Sequence, residues 1–155
     1  MEATGEPPDR RRDLFLQGRP TFEALEQRVL PDLIAARRSA GILRFRFWSA
    51  GCATGEEPYS LAILLDRLLP DSSDWALTIL ATDINPEALE AAQRGRYRQW
   101  SLRDTPPWIP DRYFRSRDAG TFELDPRIRH MVTFALLNLA EDVYPDVVTN
   151  TGPWT

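Results

Sequence analysis

The residues best suited to chemistry gather at three short places in the chain. The first is Gly51-Cys52-Ala53-Thr54-Gly55-Glu56-Glu57, where small residues and two glycines run into a pair of carboxylates. Glycines let a backbone approach a ligand closely. The second is Asp83, which follows the apolar run Leu77-Thr78-Ile79-Leu80-Ala81-Thr82. The third is Asn138-Leu139, which follows another apolar run, Met131–Leu137. The loop matches neither the phosphate-binding pattern ending in Gly-Lys-Ser/Thr nor Gly-x-Gly-x-x-Gly.

These places need a scaffold that brings them to one edge. Arg44–Ser49 is aromatic-rich and reads as a strand, Glu56–Leu69 as a helix with Pro58 in its first turn, and Leu77–Thr82 as a second strand. Asn85 and Pro86 supply a cap and first residue for a further helix, which Gly95 stops. Met131–Leu137 is the third strand. Alternating strands and helices predict an α/β fold with a parallel sheet and crossover helices, whose ligands lie beyond the carboxyl ends of the strands. Upstream, Phe22, Leu25, Val29, Leu33 and Ile34 recur at helical spacing, so Thr21–Ser39 reads as a helix capped by Thr21. Pro31 inside it predicts a kink or a restart, and Gly41 ends it. Residues 96–130 read as mixed, with a short helix over Pro110–Arg115. Residues 1–12 read as a disordered lead-in.

On such an edge, Glu56 and Glu57 sit at the amino end of the first crossover helix. That end attracts anions, and here it already has two. A pyrophosphate would meet like charge, whereas a ligand with an ammonium group and no phosphate would be favoured. S-adenosylmethionine has an ammonium, a sulfonium, a ribose and an adenine. Asp83 ends the second strand at about the interval where an acid takes ribose hydroxyls. Taken singly, Glu56 and Glu57 could be mere first-turn carboxylates and Asp83 a turn cap. Together on one edge they favour a ligand site.

The 155 residues allow one domain. With 19 basic against 23 acidic residues the net charge is −4, which argues against a nucleic-acid partner; Arg10-Arg11-Arg12 reads as part of a solvated terminus. No apolar run is long enough to predict membrane insertion, and residues 1–12 lack the apolar centre of a secretory signal. One cysteine, Cys52, cannot form an internal disulfide, and cysteine scarcity predicts a cytoplasmic location. No metal site is expected. The only histidine, His130, precedes the third strand and reads as an exposed turn residue.

The stretch from Phe47 to Ser60, Phe-Trp-Ser-Ala-Gly-Cys-Ala-Thr-Gly-Glu-Glu-Pro-Tyr-Ser, resembles the signature of CheR-type protein-glutamate methyltransferases. Ala81-Thr82-Asp83-Ile84-Asn85, Arg112-Tyr113-Phe114 and Asn138-Leu139 resemble further family segments, and the likeness runs from about Leu14 to Tyr144. It implies a Rossmann-like class I methyltransferase sheet, S-adenosylmethionine as cofactor, and glutamate side chains of chemoreceptors as substrate. It also implies roles: Gly51 and Gly55 shape the cofactor loop, Glu56 meets the methionine ammonium, Asp83 holds the ribose, and Asn138 and Leu139 line the adenine. Cys52 and Tyr59 are expected to be structural, with acidic neighbours raising the Cys52 pKa. No catalytic residue is assigned, because a carboxylate acceptor needs no base.

The chain departs from the family in three ways. The family carries Thr-x-x-x-Arg before the helix that begins here at Thr21, and Asp13 and Gln17 stand at those positions, without the cation. A small helical domain usually precedes the family's catalytic domain. A fourth strand usually follows the third and covers the open side of the first. Residues 13–155 are therefore expected to be the front part of the catalytic domain, with about three strands, the first left as an unprotected edge. Such a chain is expected to bind cofactor weakly or not at all, and to be inactive alone. The rival expectation is a non-catalytic remnant or regulatory binding module of the same family.

Overall fold

A computed structural model describes residues 15–16, 19–118 and 120–140. Asp13, Gln17 and the lead-in 1–12 lie outside the described residues, as does the segment beyond 140.

The main sheet is parallel. Strands β1 (Arg44–Ala50) and β2 (Ala76–Asp83) pair along their length, with Phe47 opposite Ile79 and Ala50 opposite Thr82. Strand β6 (Val132–Leu136) lies on the other side of β2, with Ala81 opposite Phe134. The order β1-β2-β6 leaves β1 on an edge among the described residues. The buried β2 residues Ile79, Leu80 and Ala81 explain why this strand reads as a continuous apolar run.

Helix α3 (Glu56–Leu68) follows β1, and α4 (Pro86–Arg94) follows β2. The two meet where the Tyr59 hydroxyl on α3 donates to the Ala92 carbonyl on α4 at 2.8 Å. Ala62, Ile63, Leu64 and Leu65 are all buried, so α3 is covered around most of its circumference there. Asn85 caps α4 by accepting from the backbone N–H groups of Glu87 and Ala88, as its position before Pro86 predicts. Gly95 ends that helix at φ +62°.

The upstream helix differs from the expectation at its start. It starts at Arg19, not Thr21: α1 covers Arg19–Ala24 and so includes Pro20, whose fixed φ suits a first turn. At Pro31 it restarts, one of the two outcomes expected there. A π-helical turn at Leu25–Val29 leads into α2 (Leu30–Ser39), and the Leu30 N–H bonds the Leu25 carbonyl. Pro31 thus falls in the first turn of α2, where its missing N–H is least costly. The wider π turn also rotates the apolar stripe. Phe22, Leu30 and Ile34 are buried, whereas Val29 and Leu33, expected on the same face, are 44% and 41% exposed.

The stretch 96–130 holds more order than its sequence suggests. Strands β3 (Arg96–Arg98), β4 (Phe114–Ser116) and β5 (Thr121–Leu124) form an antiparallel sheet in the order β3-β5-β4. Short helices α5 (Gln99–Leu102), α6 (Trp108–Tyr113) and α7 (Pro126–Arg129) brace it. The expected helix over Pro110–Arg115 is displaced: α6 starts two residues earlier and gives way to β4 at Phe114. Phe15 ties this small sheet down, edge-on to Tyr97 at 4.8 Å and to Phe114 at 5.1 Å.

Candidate functional site

The loop between β1 and α3 is held at the carboxyl end of β2. The backbone N–H groups of Gly51 and Cys52 both donate to the Thr82 carbonyl, at 2.7 and 2.9 Å. The Trp48 indole N–H reaches the Thr82 hydroxyl at 3.0 Å. Asp83 Oδ2 accepts from the Ala53 N–H at 2.8 Å, and its Oδ1 from the Asn85 N–H at 2.9 Å. Asp83 is therefore both a brace for the loop and a cap for the turn that follows. Each carboxylate oxygen keeps a second lone pair, so these bonds leave acceptor capacity for ligand hydroxyls.

Two glycines shape this loop. Gly51 sits at φ +71° in open space, so its role is conformational. Gly55 sits at φ +94° with no space at all: a Cβ there would lie 2.9 Å from Ala92 Cβ and 3.2 Å from the Tyr97 hydroxyl. Ala53 also adopts a positive φ, +47°.

The paired carboxylates do not share one role, because neighbours on a helix point about 100° apart. Glu56 is 5% exposed, and its Oε2 accepts from the Thr54 hydroxyl at 2.6 Å. It lines a cavity of about 510 Å³ with Thr54, Tyr97, Arg98 and Trp100. Glu57 is exposed, accepts from the Ser49 hydroxyl at 2.6 Å, and lines a separate cavity of about 330 Å³ beside Trp48, Phe22 and Leu25. Asp83 lines neither of these two cavities. The two glutamates, expected to act together, therefore face different cavities.

Farther along the strand ends, the Asn138 side chain accepts from the Ala140 N–H at 2.9 Å, and Leu139 is 46% exposed. Ile84 and Leu136 are each 63% exposed beside them. The backbone joins these positions, since the Leu137 N–H donates to the Asp83 carbonyl at 3.0 Å. Neither Ile84 nor Leu136 was singled out from the sequence. Their signal is a large apolar side chain left uncovered next to an acid.

Cys52 is buried, and its thiol pKa is pushed up to about 12, first by burial and then by Asp83, Glu57 and Glu56. A thiol-disulfide reagent at neutral pH is expected to label it very slowly in the folded chain and at once after denaturation. Rapid labelling of the native chain would show an exposed, acidic thiol instead. The sign for stability follows from linkage. Stability from holding the thiol protonated is complete below its ordinary value of 9.0 and is lost as pH rises toward about 12.

His130 is exposed at the end of α7, as the sequence predicts. Among the described residues no group of three or more His, Cys, Asp or Glu side chains could hold a metal ion, and no helix is long and apolar enough to cross a membrane.

A parallel sheet with a glycine loop, a buried carboxylate at the following helix start and an acid ending the next strand define a Rossmann-like cofactor-binding domain. The family model described as CheR methyltransferase, SAM binding domain, matches residues 12–149, so the chain belongs to the CheR methyltransferase family. Its cofactor is S-adenosylmethionine. A probable chemotaxis protein methyltransferase of Rhizobium etli is 36% identical over 128 residues, 81% of this chain and 47% of the relative. Chemotaxis protein methyltransferase 1 of Pseudomonas aeruginosa is 39% identical over 124 residues, 77% of this chain and 44% of the relative. A chemotaxis protein methyltransferase of Escherichia coli is 41% identical over 124 residues, 77% of this chain and 40% of the relative. The chain thus spans less than half the length of these relatives.

Proposed function

We infer that this chain is the cofactor-holding front part of an enzyme that methylates glutamate side chains of cytoplasmic chemoreceptor regions. The observation that carries the reading is the buried Glu56 at the start of α3, opening on a cavity of about 510 Å³. Glu56 is the one acid on a lining that also holds Arg96 and Arg98, and a buried carboxylate suits an ammonium. The donor set fits the rest of the cofactor: Gly51 and Gly55 bring the loop close, Asp83 offers carboxylate oxygens to the ribose, and Ile84, Asn138 and Leu139 offer apolar and amide surface to the adenine.

The bound cofactor supplies an electrophilic methyl group on sulfur. A glutamate acceptor is ionised near neutral pH, so no base is required of the chain. The chain's own contribution is alignment of the reacting groups and exclusion of water. Among the described residues no strand pairs with the outer edge of β1. The chain alone is expected to bind S-adenosylhomocysteine weakly or not at all and to transfer nothing.

Calorimetry and a receptor assay test this together. The purified chain, mixed with chemoreceptor membranes and methyl-labelled cofactor, should leave no alkali-labile label. A chimera carrying this chain in place of the matching stretch of the Pseudomonas aeruginosa relative should restore labelling. Low-micromolar binding or turnover by the chain alone would overturn the expectation of weak binding. A chimera that binds cofactor yet labels no receptor would overturn the substrate.

A further inference from the structure

Tyr97 belongs to β3 of the small sheet, yet its hydroxyl reaches the cofactor loop and donates to the Thr54 carbonyl at 2.7 Å. The residue is 5% exposed and its ring sits edge-on against Phe15 and Phe114. Packing accounts for the ring and not for the hydroxyl, since a buried hydroxyl is costly unless bonded. Burial also pushes its pKa well above the usual value, so the group remains a donor.

What the hydroxyl holds is informative. Thr54 donates its own hydroxyl to Glu56 Oε2 at 2.6 Å, so its backbone position helps to set that of the carboxylate. Between them lies Gly55, where even a methyl group would press on the Tyr97 oxygen. Tyr97, Thr54 and Glu56 line the same cavity. The chain of contacts runs from the small sheet, through one hydroxyl and one threonine, to the carboxylate assigned to the ammonium.

We propose that Tyr97 is a positioning residue for the amino-acid end of the cofactor, acting on Glu56 through Thr54, so that the small sheet forms one wall of the cofactor site. The proposal rests on the cofactor reading above, and its test separates the two.

Two ligands suffice. S-adenosylhomocysteine carries the amino-acid end, whereas methylthioadenosine has the adenosine and thioether without it. Both are titrated by NMR into the 155-residue chain and into Tyr97→Phe, Thr54→Val and the double variant. Tyr97→Phe should weaken S-adenosylhomocysteine about three- to tenfold, the worth of one hydrogen bond, and leave methylthioadenosine unchanged. Thr54→Val should show the same selectivity. The double variant should be little worse than Thr54→Val, because both act by one route. Equal losses for both ligands, or no loss for either, would overturn the proposal. So would a wild-type chain that binds methylthioadenosine as tightly as S-adenosylhomocysteine, because the amino-acid end would then go unread. A wild-type chain that binds neither ligand at millimolar concentration would overturn the proposal that these residues build the amino-acid end of a site in this chain, and leave the family's cofactor untouched. If Tyr97→Phe does not fold, Thr54→Val still decides, since it leaves the aromatic packing intact.

Discussion

Gly55→Ala is expected to lower the stability of the chain by about 2–4 kcal/mol, combining a strained left-handed backbone with an overpacked contact. The positive φ of +94° is one cause. The other is the Cβ, which would sit 2.9 Å from Ala92 Cβ, on a helix that the Tyr59 hydroxyl already clamps to α3. Neither α4 nor the buried Tyr97 can retreat cheaply. Gly51→Ala makes the control: it has a positive φ too, but nothing lies within 4 Å. It should cost only the conformational part, about 1 kcal/mol. Denaturant unfolding of both variants checks the difference. Equal losses would mean that the close approach at Gly55 is not tight.

In the chimera with the Pseudomonas aeruginosa relative, Glu56→Gln is expected to weaken S-adenosylhomocysteine about 10- to 100-fold, the range for losing a charge-assisted hydrogen bond. The fold should survive, since the amide oxygen can still accept from the Thr54 hydroxyl. Glu57→Gln should have little effect, because Glu57 faces the other cavity and the Ser49 hydroxyl. Calorimetry of the two variants against one ligand makes the comparison direct. If Glu57→Gln proves the more damaging, the ammonium has been assigned to the wrong carboxylate.

Much of the main sheet was legible in the sequence because its signals are local. The apolar run ending at Asp83 is long and buried, and the Asn85-Pro86 start and Gly95 stop each have a backbone reason. The loop was legible for similar reasons, since residue type alone marks Gly51, Gly55, Glu56 and Asp83. The small sheet was not. Its strands are three and four residues long, too short to show a period of two. The π turn was equally hidden: its residues have ordinary helical spacing, and the rotation that exposes Val29 and Leu33 appears only in the packed molecule. Tyr97 went unnoticed because a tyrosine between two arginines says nothing about where its hydroxyl will land. The separation of Glu56 from Glu57 was readable in principle from helix geometry, and was missed by treating adjacent charges as one.

The bonds that fasten the loop to Thr82 and Asp83 are made within the chain, before anything is bound. Little ordering is left for an arriving molecule to impose, so the entropic toll on that part of the encounter is small. Differences among loop variants should then appear in how long a ligand stays rather than in how fast it arrives.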